Sequence, residues 1–135
     1  MDIQKQFEFL TKDYGLKYSY QDFHNCYDGY WWVCTHSYYN SSGCFTIVHL
    51  PQRNELDFYY AKQIGNTLES LHECTIDEQS VEPGIWAKAK KKFLFGYRNS
   101  LILETLAVVI QQQINKNGEF FGVKIVDGSD TPQVY

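Results

Sequence analysis

A chain of 135 residues with 44% hydrophobic and 21% charged residues has room for one domain with a sizeable core, and that balance excludes an unfolded polymer. A formal charge of −4 and an isoelectric point near 5.5 argue against a protein that grips nucleic acid through its phosphates, because such proteins are basic. The same balance suits a partner that carries a basic patch.

Ile3, Phe7, Leu10 and Tyr14 recur at helical spacing, and Gly15 stands where a left-handed helix cap belongs. The amino terminus shows no basic stretch followed by an apolar run, which predicts a cytoplasmic chain without a signal peptide. Four strands follow in prospect: Leu16 to Cys26, Tyr30 to Tyr39, Cys44 to Leu50 and Glu55 to Tyr60. Asp28-Gly29, Asn40-Ser41-Ser42-Gly43 and Pro51-Gln52-Arg53-Asn54 supply the turns of an antiparallel meander.

The second half reads as helical. Asn66 with Glu69 resembles a capping box opening a short helix through Leu68 and Leu71, and Thr75-Ile76-Asp77-Glu78 repeats the pattern. After Pro83-Gly84, Ile85, Trp86, Ala89 and Phe93 share a helical face. Asn99 or Ser100 caps the last helix, whose stripe is Ile102, Leu103, Leu106, Val109, Ile110 and Ile114. Leu101 and Val108 lie off that stripe, which predicts burial almost all round its first half. Asn117-Gly118 ends it, and Phe120 to Val126 reads as one edge strand. The expected fold is therefore α+β, with a four- or five-stranded, mainly antiparallel meander sheet packed against N-terminal and C-terminal helices. One domain over 1–126 and a loose tail over 127–135 complete the layout.

Fourteen of the 23 aromatic residues fall between Tyr14 and Tyr60, and Trp31-Trp32, Tyr38-Tyr39 and Tyr59-Tyr60 are adjacent pairs on strands. Neighbours in a strand point to opposite faces, so each pair puts a ring on both faces of the sheet. Both faces are then covered, or one is kept for a partner. Trp31, Val33, Thr35 and Tyr39 have the more uniformly aliphatic neighbours, Thr46, Val48 and Leu50, and suit a helix-covered core. Trp32, Cys34, His36 and Tyr38, opposite Phe45, Ile47 and His49, mix rings with titratable groups and mark the face for function.

His24-x-Cys26 and Cys34-x-His36 raise the question of a metal, since residues two apart on a strand share a face and zinc takes thiolate with imidazole. Pairing Tyr39 with Cys44 places Cys34 opposite His49, with His36 beside them. A two-residue turn at Asp28-Gly29 puts His24 opposite Val33, away from Cys34. A three-residue loop including Tyr30 puts it opposite Cys34. The plain alternative is that buried cysteines act as small hydrophobes. No glycine elbow surrounds a serine or cysteine, no phosphate-binding glycine loop occurs, and no C-x-x-C is present, so an enzyme is not expected. Lys88, Lys90, Lys91 and Lys92, with Arg98 beyond, suit a solvated helical face and not a nucleic-acid site. The longest apolar stretch, Leu101 to Ile110, is interrupted and too short to span a membrane.

The opening Phe9-Leu10-Thr11-Lys12-Asp13-Tyr14-Gly15-Leu16, with its Phe-Leu-x-x-x-Tyr-Gly-Leu pattern ahead of a meander and buried helices, resembles small single-domain bacterial proteins. Some of these look like immunity proteins of bacterial toxin systems. The resemblance covers about the first tenth of the chain, carries over no functional residue, and implies a cytoplasmic protein that binds and blocks a toxin. The expected function is non-enzymatic protein binding without a cofactor, by capture of a partner or self-association. Trp31, Trp32, Tyr38, Tyr39, Tyr59 and Tyr60 are the contact candidates, half of them expected in the core. The alternative is a small-ligand or metal site in an aromatic-lined pocket around Cys34, His36 and His49.

Overall fold

Alternation of apolar and polar residues from Lys17 onward builds a meander of four long strands. They are β1 (Lys17–Asn25), β2 (Trp31–Asn40), β3 (Gly43–Leu50) and β4 (Glu55–Ile64), each antiparallel to the next. The computed structural model describes residues 3–25, 31–52, 55–64, 67–68, 72–74, 82–94 and 99–125. Two short strands, β5 (Thr67–Leu68) and β6 (His72–Glu73), both pair with β4. Leu68 is thus in a strand where a short helix was expected, and Asn66, Glu69 and Leu71 of that expected helix lie outside the described residues. The repeated box at 75–78 and the tail over 127–135 lie outside the described residues.

An N-terminal helix is interrupted at Phe7 into α1 (Ile3–Gln6) and α2 (Glu8–Lys12). Ile3, Phe7 and Leu10 are its buried face. Gly15, at φ 71°, reverses the chain into β1 while the Leu16 amide donates to the Leu10 carbonyl at 3.0 Å. Pro83–Leu94 forms α3, with Ile85 and Trp86 half-buried, and Asn99–Asn117 forms α4. The expected stripe of α4 is buried at Leu103, Leu106, Val109, Ile110 and Ile114, with Ile102 half-buried. Val108 is 41% exposed, which corrects the expectation of all-round burial: α4 keeps a solvent side at Glu104 and Val108. Among the described residues no helix is long and apolar enough to cross a membrane.

After Gly118 the chain makes a separate hairpin, β7 (Glu119–Phe120) with β8 (Val123–Lys124), where one edge strand was expected. Phe121 and Gly122, at φ 47° and 79°, place both central residues of its turn in the left-handed region, as hairpin turns with matching twist require. A bulky residue there is strained. Stacking of the Phe121 ring on Phe45 and Tyr60, at 5.8 and 6.4 Å, offsets that strain.

One sheet face carries the core. Tyr38, Phe45 and Ile47 are buried against Ile3, Phe7 and Leu10 of the N-terminal helices, Leu103, Leu106 and Ile110 of α4, and Phe120 and Val123 of the hairpin. The sequence had suggested the opposite face for this role, on the strength of Val33, Thr35 and Val48. Those residues are only half-buried, and their neighbours include Ser37 and Thr46, whose hydroxyls lie 3.0 Å apart. Ring volume decides the outcome. The covered face holds the large residues that helices can pack against, whereas its reverse offers the small groups Cys44, Thr46 and Ala61.

Candidate functional site

Strand register sets the site in rows across the covered face. The first row runs Tyr18, Tyr38, Phe45, Tyr60, and the second Tyr20, His36, Ile47, Phe58. The third runs Asp22, Cys34, His49, Leu56. Cys34 lies opposite His49 and Tyr39 opposite Cys44, as the turn at 40–43 predicts, although Ser41-Ser42 alone forms that turn. Both registers considered for β1 fail. Val33 pairs with Phe23 and Cys34 with Asp22, because five residues, 26–30, separate β1 from β2. Those residues, including Cys26, Asp28, Gly29 and Tyr30, and the side chain of His24 lie outside the described set.

From the first row to the third, helix cover gives way to an open hollow. A cleft of about 590 Å³ is lined by Ile3, Gln4, Tyr18, Tyr20, Trp32, Cys34, His36, His49 and Pro51. The Tyr18 hydroxyl and His36 Nδ1 are 2.8 Å apart, and the Tyr20 ring meets His36 edge-on at 5.0 Å. The Trp32 indole N–H donates to an Asp22 carboxylate oxygen, and the Trp32 amide donates to Gln52 Oε1 at 2.9 Å. These contacts hold the rings on rigid strands. A second hollow of about 440 Å³ adjoins through Gln4 and Tyr18 and is lined otherwise by Lys5, Glu8, Thr11, Lys12 and Tyr38.

The surroundings act on two groups of the cleft lining. A hydrogen bond with Cys34 pushes the Tyr20 hydroxyl up to about 12, helped by burial and by the Asp22 charge, so it remains an O–H group at neutral pH. Burial, and secondarily the positive amino terminus, pushes the His49 imidazole below its ordinary value. Among the described residues, no group of three or more His, Cys, Asp and Glu side chains is arranged to hold a metal ion. Cys34, His36 and His49 share the cleft but do not converge as a ligand set.

The aromatic candidates are distributed over both faces. Trp32 lines the cleft, Tyr38 is 1% exposed in the core, and Tyr39 is 37% exposed on the reverse face. Tyr59 and Tyr60 are half-buried, and the Trp31 side chain lies outside the described set. Tyr60 rests against His72 and Phe121. Tyr18, Tyr20 and Asp22 were absent from the sequence-based candidates. Their two-residue spacing in Lys17-Tyr18-Ser19-Tyr20-Gln21-Asp22 was the available signal, since it places all three on one face. No protein-family model matches the chain, and no curated protein or solved structure matches it either.

Proposed function

We propose that the protein is a non-enzymatic binding domain that captures a partner protein, with the cleft beside Tyr20 and Trp32 as its contact site. The observation that carries this reading is a hollow in which three aromatic rings and two imidazoles on strands line one opening. Aromatic rings supply large contact area with few torsions to freeze, and rigid strands spare the cost of ordering them. A nucleophilic role for Cys34 has little support. It is buried, and among the described residues no lysine or arginine lines the cleft to favour a thiolate. In the immunity-like setting suggested by the opening stretch, the partner is a toxin met in the cytoplasm.

Partner capture by Tyr20→Ala and Trp32→Ala should fall about tenfold or more, as for truncated hot-spot rings. Their melting temperatures should stay near wild type, since Tyr20 is 46% exposed and Trp32 half-buried. Tyr39→Ala, on the reverse face, should leave capture unchanged. Loss of capture in Tyr39→Ala alone would move the contact site to that face. A small-ligand site is favoured as a second reading by the gathering of Cys34, His36 and His49 in the same cleft. Native mass spectrometry of untagged protein separates the two, because a stoichiometric small molecule or metal ion supports only the second.

A further inference from the structure

Resting on the cleft as contact site, we infer that its charge is set by His36 and His49 acting as a coupled pair. The pair takes up protons one at a time, His36 first, and turns the contact surface cationic in acid. Among the nine described lining residues there is no lysine, arginine, aspartate or glutamate. Imidazole is the side chain that ordinarily changes charge between about pH 5 and 8. The Tyr20 hydroxyl, pushed up to about 12, stays out of that range. Strand register then brings the two imidazoles together. His36 on β2 lies opposite Ile47, and His49 follows two residues along β3, so the two are diagonal neighbours on one face. Such neighbours stand about 7–8 Å apart. Two positive charges at that separation repel, and the first proton makes the second harder to add.

The surroundings order the two steps. His36 Nδ1 lies 2.8 Å from the Tyr18 hydroxyl, which can donate to a neutral ring and accept from a charged one. That contact therefore survives protonation with its direction set by the ring. Burial at His49 disfavours its charged form. From β1, Tyr18, Tyr20 and Asp22 face the pair, and Asp22 is diagonal to His36 but two strands away from His49. From β4, Leu56 and Phe58 bring no charge, and α1 contributes only Ile3 and Gln4 to the lining. Lys5, Glu8 and Lys12 line the adjoining hollow and not the cleft. Covering a charged imidazole costs more desolvation than covering a neutral one. Acid therefore weakens a contact made over both rings.

The experiment is an NMR titration of the full chain from about pH 8 to about pH 4.5, a span that brackets ordinary imidazole titration. It follows the Cε1–H signals of the rings, assigned by their loss in His36→Gln and His49→Gln, while amide signals monitor folding. The His36 midpoint is expected above that of His49. His36→Gln should raise the His49 midpoint by about 0.5–1.5 pH units, the size of a Coulomb repulsion at this separation. His49→Gln should leave the His36 midpoint nearly unchanged, because His49 is still neutral when His36 takes its proton. His36→Asn is measured alongside, so that one poorly folded variant does not decide the outcome. An unchanged His49 midpoint in the His36 variants overturns the coupling. A His49 midpoint above that of His36 overturns the order. Either result leaves the contact site standing, whereas unchanged partner capture by Tyr20→Ala and Trp32→Ala removes the contact site and leaves the proton pair.

Discussion

His49 occupies the third row of the sheet, opposite Cys34, and is half-buried where the cleft opens. Burial holds its imidazole below the ordinary histidine value, so folding favours the neutral ring. The stabilisation it contributes is fully present above the unfolded-state value of about 6.5. That contribution is lost as pH falls through 6.5 towards the lower folded-state value, because the unfolded chain takes up the proton first. Urea unfolding midpoints at pH 7.5 and pH 5.0 should therefore differ more in the wild type than in His49→Gln. Identical pH slopes would mean that the ring titrates in the folded state as it does in the unfolded one. This residue was legible as a site candidate because the β2–β3 register could be counted from the turn at 40–43. Asp22, which completes its row, was not, since both registers counted from the Asp28-Gly29 turn signal differ from the observed pairing of Asp22 with Cys34.

Elements are tied together at the hairpin end of the sheet. The Lys124 amide donates to Ser42 Oγ at 2.8 Å, and Asn40 Nδ2 donates to the Lys124 carbonyl at 2.6 Å, so the β7–β8 hairpin is bound to the β2–β3 turn. Gly43 begins β3 beneath this junction. A Cβ there would lie 2.7 Å from the Ala61 carbonyl oxygen and 3.3 Å from Val123 Cγ2. The carbonyl belongs to the β4 backbone and cannot swing aside as a flexible side chain could. Gly43→Ala should cost about 1–3 kcal/mol in urea unfolding, the usual range for overpacking. A cost below about 0.5 kcal/mol would show that β3 and β4 separate easily here. The pattern of glycine and turn residues foretold the hairpin but not this close approach. Nor did it foretell β5 and β6, because two-residue strands are too short to leave a periodic signature.

For the whole molecule, the decisive property is which sheet face the helices cover. Period-two alternation separates the faces correctly, but hydrophobic character alone ranked them the wrong way round. Large rings and Ile47 meet α1, α2, α4 and the β7–β8 hairpin, and histidine or cysteine among them does not exclude that face from the core. The core and the cleft are thus two ends of one surface: where the helical cover stops, the Tyr20 and Trp32 rings become open to solvent. Adjacent β3 residues test this arrangement directly. Ile47 is fully buried on the covered face, and Val48 is half-buried on the reverse. Ile47→Ala should destabilise by about 2–4 kcal/mol, combining lost transfer energy with a cavity that the helices cannot collapse. Val48→Ala removes fewer carbons from a site still touched by water and should cost less than about 1.5 kcal/mol. The two variants differ in position by one residue, so local strand propensity largely cancels between them. Comparable costs in urea unfolding would mean that both faces are buried, leaving the reverse face no freer than the core.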